Sequence, residues 1–338
     1  MRSDRILAGT TADNRMRYRV ITFVAFIVTA LSVSAGVSDL TTNVVLIRGG
    51  FEPGRQPDGN TVIFRGTDGL VVMDTGRHPE HSQQILDYAA RERLPIVAVV
   101  NSHWHLDHIS GNARLRAAHP QLQTFASSAI EGALSGFLAQ SRQQSIAFLA
   151  EPGDPGQQAE VRADLATIDS GAALLPDVRI DSAGSRVLAG RPLQVGFERD
   201  TVTAGDVWLY DPAMHVLAAG DLITLPAPFF DTACPAHWQS ALAKLGDVDF
   251  DMLVPGHGAP MSRADFAVYR HAFDALLACA ASPATNAECS DGWQRDAATF
   301  LITDWDKKLA RALVDDYLTT ALRGNAEKRA ALCGSSRS

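Results

Sequence analysis

A buried strand that runs straight into a cluster of histidines constrains this chain more than any other stretch of it. Pro95 to Val100 is an unbroken apolar run that reads as a strand, and it leads into Asn101-Ser102-His103-Trp104-His105-Leu106-Asp107-His108. Three imidazoles and a carboxylate thus fall within six residues at a strand end, where the backbone can hold them still. Imidazole nitrogens and carboxylate oxygens are the donors that suit zinc or a similar borderline divalent ion. The bland alternative, a polar loop that happens to be rich in histidine, does not account for the same chemistry recurring downstream.

The rest of the pattern brings further polar groups to strand ends. Thr42 to Ile47 reads as a strand and Phe51 to Asn60, rich in Gly and Pro, as a loop. Thr61 to Arg65 and Leu70 to Met73 flank Gly66-Thr67-Asp68-Gly69, a hairpin signal, and Asp74-Thr75-Gly76 closes the second strand. Ile85, Leu86 and Ala89 give Glu80 to Arg93 a helical spacing, and Asn112 to Ala118 reads as a short helix. The span from Ser127 to Gly171 is mostly helical, broken at Glu151 to Gly156; it is either a lid over the site or a plain packing pair. Strands follow at Val178–Ile180, Arg186–Leu188, Leu193–Phe197, Asp206–Tyr210 and His215–Ala219, the last ending in Gly220-Asp221. Met252 to Val254 runs into Pro255-Gly256-His257-Gly258, whose glycines let the backbone turn His257 inward. From Ser262 the pattern is helical: Ser262-Arg263-Ala264-Asp265 resembles a capping box, with Phe266, Tyr269, Phe273, Leu276 and Leu277 as a stripe. A last helix from about Thr303 to Arg323 stops at Gly324. Strand, helix and strand in this order indicate an α/β protein in layers.

Three segments are expected: a signal peptide at 1–35, a main domain at 36–262 and a C-terminal helical extension at 263–338. Val20 to Ala35 is apolar, follows the basic Arg15-Met16-Arg17-Tyr18-Arg19, and ends in Val33-Ser34-Ala35, which suits a secretory cut; an uncleaved anchor, the one membrane attachment considered, is the alternative. Asp4 and Asp13 ahead of this run point to translation starting at Met16. Residues 1–35 carry five arginines against two aspartates, a net +3 whose removal takes the formal charge from −8 to −11. Such a surface repels a phosphate backbone, so the expected partner is a small-molecule substrate and not nucleic acid. Four cysteines, Cys234, Cys279, Cys289 and Cys333, permit disulfides in an exported protein; Cys279 with Cys289 is the favoured pair, with free buried thiols as the alternative.

Collected in order, the strand-end groups are Asp74, His103, His105, Asp107, His108, Asp221 and His257. From about Val44 to Gly258 this resembles the metallo-β-lactamase superfamily, on the His-x-His-x-Asp-His run together with Met73-Asp74-Thr75-Gly76, Ala219-Gly220-Asp221-Leu222 and Pro255-Gly256-His257-Gly258. The resemblance implies an αββα sandwich of two mixed sheets flanked by helices, with metals at its open edge. It implies that His103 and His105 hold one zinc, that Asp107, His108 and His257 hold another, and that Asp221 bridges them. Two such ions about 3.5–4 Å apart activate a shared water for hydrolysis. Asp107 and Asp74 are then the carboxylates that serve the reaction, Asp107 from among the ligands and Asp74 by hydrogen-bonding a ligand histidine.

One position departs from that pattern. Aligning Gly205-Asp206 with the family's Gly-Asp pair puts Val202 where a further first-zinc histidine belongs, and an isopropyl group has no lone pair to give. Unequal metal affinity follows, with the second site the more complete; Glu198, Asp200 and Cys234 are the nearby residues that could substitute. The apolar Leu225 to Phe230, with Trp104 and Trp238, is expected to wall the substrate pocket or else to be core. The implied function is an exported, periplasmic or secreted, zinc-dependent hydrolase of a small ester, lactone, thioester or amide. Its alternative is a catalytically impaired metal- or ligand-binding protein, on account of Val202. β-Lactamase activity is a third option, set lower because members that open β-lactams generally lack the bridging aspartate.

Overall fold

The computed structural model describes residues 36–324 and 326–334, so the expected signal peptide lies outside the described residues. The first sheet holds, side by side in chain order, β1 (Val37–Asp39), β2 (Val44–Ile47), β3 (Thr61–Arg65), β4 (Leu70–Met73), β5 (Ile96–Val100), β6 (Gln123–Ala126) and β7 (Val178–Arg179). Short turns join β1 to β2 and β3 to β4, a longer loop from Arg48 to Asn60 joins β2 to β3, and β1 to β4 are all antiparallel. Helical crossovers make β4 to β7 parallel: α1 (Pro79–Glu92), then α2 (Leu106–Ile109) and α3 (Asn112–Ala118), then α4 (Ala129–Ser135), α5 (Phe137–Ala150) and α6 (Pro155–Asp169).

The second sheet contains β8 (Gly184–Leu188), β9 (Arg191–Arg199), β10 (Gly205–Asp211), β11 (Val216–Thr224), β12 (Met252–His257) and β13 (Met261–Ser262). Its β11 and β12 are parallel because α7 (Pro235–Gly246) carries the chain back between them. Four further helices follow: α8 (Arg263–Ala280), α9 (Asn286–Asp296), α10 (Asp304–Tyr317) and α11 (Ala326–Leu332).

Side-chain alternation on β3 explains the layering. Val62 and Phe64 join a cluster between the sheets with Val195, Val207, Leu209 and Ala218, while Ile63 faces outward to Ile85 and Tyr88 of α1. On the far side, Leu217 and Ala219 of β11 share a core with Trp238, Phe273, Trp293 and Leu313 from α7, α8, α9 and α10. Each large side chain buried this way stabilises the fold by roughly 2–3 kcal/mol relative to exposure. The result is helix, sheet, sheet and helix in layers, as expected.

Among the elements that differ from the sequence reading are β11, which matters for the site, and α9. β11 does not stop at Ala219 but continues to Thr224, so Asp221 lies inside a strand at a register shift. α9 has no counterpart in the sequence reading; Thr285 and Glu288 cap it with a box of the kind that Ser262 and Asp265 form on α8. The expected Cys279–Cys289 disulfide is present, and Cys234 pairs with Cys333. No described helix is long and apolar enough to cross a membrane.

Candidate metal centre

The C-terminal ends of β4, β5 and β12 and the irregularity in β11 deliver the site. Asp74 follows β4 in a left-handed backbone conformation (φ 63°), which costs energy for a non-glycine residue and is held by its side-chain bonds. Its carboxylate accepts from Ser102 N at 2.7 Å, Ser102 Oγ at 2.7 Å and His108 Nδ1 at 2.8 Å. Because the Ser102 hydroxyl proton goes to Asp74, Ser102 Oγ accepts from His103 Nδ1 at 2.9 Å. One buried carboxylate thus sets the tautomer of two rings, leaving the Nε2 lone pairs of His103 and His108 to face inward.

Two glycines make room for the carboxylate opposite. Gly220 takes φ +55° where β11 shifts register, and a Cβ on Gly256 would lie 2.0 Å from Asp221 Oδ1. His257 ends β12, and its loop is pinned by Asn60, whose amide donates to Pro255 O and Gly258 O at 2.9 Å each. α2 begins with His105 as its N-cap and presents Asp107 and His108 from its first turn.

At the centre, Asp221 Oδ1 lies 3.2 Å from His108 Nε2 and 3.5 Å from His257 Nε2, and Asp221 Oδ2 lies 3.7 Å from His103 Nε2. Asp107 Oδ2 is 3.0 Å from His257 Nε2 and 3.6 Å from His108 Nε2. His103, His108 and Asp221 form one group of donors within 4.8 Å, and Asp107, His108 and His257 form another. His103 Nε2, His108 Nε2, both His257 nitrogens and both Asp221 oxygens are buried without a hydrogen-bond partner. Burying that many unpaired polar atoms in one spot is costly unless a cation binds them, so the donor set fits a divalent metal.

Charge arranges the same way. Burial works to raise the Asp107 carboxyl, but His108, His257 and Arg77 outweigh it and hold it well below the usual range; Asp221 is depressed likewise by His108, His257 and His103. Burial, with His108 and His105 nearby, keeps the His103 ring well below its ordinary value and hence neutral with a free lone pair.

Residues 54–257 match the metallo-beta-lactamase superfamily, more than half of the 338 residues. The chain belongs to that superfamily. It is 27% identical over 258 residues to an (R)-specific secondary-alkylsulfatase from Pseudomonas sp, a match taking in 67% of this chain and 37% of that enzyme. Among solved structures it is similar to a metallo-beta-lactamase from Pontibacter korlensis, at 20% identity and TM-score 0.51, covering 69% of this chain and 95% of the other. It is also similar to the stereoselective inverting sec-alkylsulfatase Pisa1 from Pseudomonas sp., at 23% identity and TM-score 0.54, covering 85% of this chain and 51% of that one. The chain therefore spans about half or less of the length of the alkylsulfatases it matches, and the structural likeness speaks to the fold. Zinc suits both the superfamily and the His/Asp donors gathered here.

Within this superfamily frame, His105 stands apart from the other histidines of its run. Its ring packs edge-on against His103 at 4.4 Å, yet it belongs to neither compact donor group, and its Nε2 meets Thr232 Oγ1 at 3.0 Å. Val202 is fully buried in the apolar core with no donor atom to offer. Two of the three substitutes considered are engaged elsewhere: Cys234 is in a disulfide, and Glu198 accepts from Lys244 Nζ at 2.6 Å.

The expected pocket wall needs one correction. Trp238 is fully buried in the core with its indole donating to Leu222 O, so it lines no pocket; Ala227 and Phe230 are core as well. Phe229 does face the site, 5.9 Å from the His257 ring, and Phe51 stands on the same ring at 4.9 Å. Trp104 packs between His105 and Phe137. Sequence reasoning missed Phe51, Asn60, Ser102, Thr232 and Arg77, whose Nη2 approaches Asp107 Oδ1 at 3.8 Å. Only Arg77 carried a signal, as a charged residue directly after the strand-end Asp74-Thr75-Gly76.

Proposed function

We propose that the chain is an exported zinc-dependent hydrolase that cleaves a small ester, lactone, thioester or amide. The observation that carries this reading is the set of buried, unpartnered donors from His103, His108, Asp221 and His257, with Asp107 beside them. A divalent ion bound there supplies the chemistry of the family, polarising the bond under attack and lowering the pKa of water toward neutrality. The protein supplies the rest. Asp74 keeps protons on the outer nitrogens of His103 and His108 through the bonds described above, and Arg77 offsets part of the Asp107 charge from outside. Phe51 and Phe229 flank His257 and give the substrate an apolar wall that sheds water.

Within the ester class, two of the similar proteins are named alkylsulfatases, which supports trying sulfate esters alongside carboxylic ones. Export is supported by the two disulfides, since such bonds persist in oxidising compartments. A more tightly held ion on the Asp107, His108, Asp221 and His257 side is expected, because the first-zinc side has only Val202 where a histidine would stand. The deciding experiment is a panel of esters, lactones, thioesters, amides, β-lactams and alkyl sulfates, assayed after chelation with and without added zinc. Zinc-restored turnover of one class supports the reading; silence on every class favours the impaired alternative. Val202→His separates the two further, since a degenerate enzyme gains activity from it and an evolved one does not. N-terminal sequencing of secreted protein tests export.

A further inference from the structure

We infer that Thr232 is a positioning residue: clamped between the Val202 carbonyl and His105 Nε2, it turns the His105 ring so that Nδ1 is the nitrogen left for the metal centre. The inference rests on the zinc-site reading and adds a residue that no ligand pattern marks.

The proton count decides the direction of each bond. Thr232 Oγ1 lies 2.8 Å from Val202 O and 3.0 Å from His105 Nε2. A carbonyl oxygen can only accept, so the one hydroxyl proton goes to Val202 and the hydroxyl oxygen must accept from His105 Nε2–H. The neutral ring then carries its lone pair on Nδ1. This inverts the arrangement at His103 and His108, where Nδ1 is the protonated nitrogen and Nε2 the free one.

Thr232 is well placed for this work because its own segment is tied on both sides. Cys234 is bonded to Cys333 and donates its backbone N–H to Thr201 O at 2.8 Å, and Asp231 accepts from Tyr317 Oη at 2.9 Å. The hydroxyl itself is nearly buried, at 9% exposure for the residue, so water competes little for the bond. At Val202 the chain has lost a ligand side chain but kept a backbone carbonyl, and that carbonyl is what orients Thr232. The geometry points to an indirect use of the vacated position, in which the main chain steers a neighbouring ligand.

The test pairs Thr232→Val, which keeps the shape, with Thr232→Ser, which keeps the hydroxyl. In metal-free, 15N-histidine-labelled protein, long-range proton–nitrogen spectra should show His105 protonated on Nε2 in wild type and Thr232→Ser, and mixed tautomers in Thr232→Val. In competition with a chelator, Thr232→Val should hold its weaker zinc on the order of 10–100-fold less tightly, with Thr232→Ser close to wild type. A wild-type His105 protonated on Nδ1 overturns the inference, even where Thr232→Val fails to fold. So does a folded Thr232→Val with wild-type zinc affinity, or a Ser variant as impaired as the Val one. Wild-type protein that takes up no zinc would sink the zinc reading instead, while the tautomer spectrum still decides the role of Thr232.

Discussion

At the scale of single residues, Asp74 concentrates more of the site's order than any ligand does. It accepts three bonds, two from Ser102 and one from His108, and through Ser102 it also sets His103. Asp74→Asn is a clean probe because asparagine tolerates the left-handed backbone that Asp74 adopts, so the damage is confined to hydrogen bonding. Zinc affinity should fall on the order of 10–100-fold in chelator competition, measured where the variant is folded; unchanged affinity would show that the rings orient themselves. Asp206 gives a pH prediction at the same scale. Burial, only partly countered by bonds from Thr201 and Thr203, pushes its carboxyl up to about 7. The folded state thus holds this proton more tightly than an unfolded carboxyl does. The group's contribution to stability is complete below about pH 4 and is lost as pH rises through its folded value. Asp206→Asn, which keeps an acceptor for Thr203 N, should flatten the fall in denaturation midpoint across that window; parallel profiles would refute the assignment.

At the scale of elements, the α5–α6 hairpin is held by charge more than by apolar contact. α5 buries only Leu138 and α6 only Ile168. Its strongest anchor is Asp164 on α6, which accepts from Arg77 Nη1 at 2.7 and 2.6 Å, while Glu160 accepts from Gln56 N at 2.8 Å. Both partners are largely buried, so breaking the pair costs on the order of 3 kcal/mol locally. Asp164→Ala should therefore speed limited proteolysis at the Glu151–Asp154 loop, and a rate equal to wild type would mean that the hairpin is held otherwise. Which elements were legible follows from how local their causes are. β3 and β4 declare themselves through the Asp68-Gly69 turn between apolar runs, and β5 through its composition. β6, four residues formed by parallel pairing with β5, has no local signature, and α9 hid behind its polar sequence although its capping box was written in Thr285 and Glu288. The strand-end donors were legible for the same local reason. Thr232 and Asn60 were not, because their partners His105 and Pro255 stand 127 and 195 residues away.

For the whole molecule, the question is why the last helices return to the site at all. α10 sends Tyr317 to Asp231, and the segment after α11 ends in a disulfide to Cys234, two residues beyond Thr232. The Cys234–Cys333 bond closes a span of 99 residues and the Cys279–Cys289 bond one of 10. Loop entropy alone assigns them about 4–5 and about 2.5–3 kcal/mol respectively, so both stabilise the fold and the longer one does so more. What distinguishes them is location: the short one ties α8 to α9, whereas the long one grips the segment that holds His105. Replacing Cys234 and Cys333 together by serine should lower the denaturation midpoint and also loosen the weaker zinc. Replacing Cys279 and Cys289 together should lower the midpoint and leave zinc retention where it was, measured under conditions where each variant is still folded. Equal zinc loss from the two pairs would mean that general stability governs the site, and that the C-terminal tether has no particular hold on it.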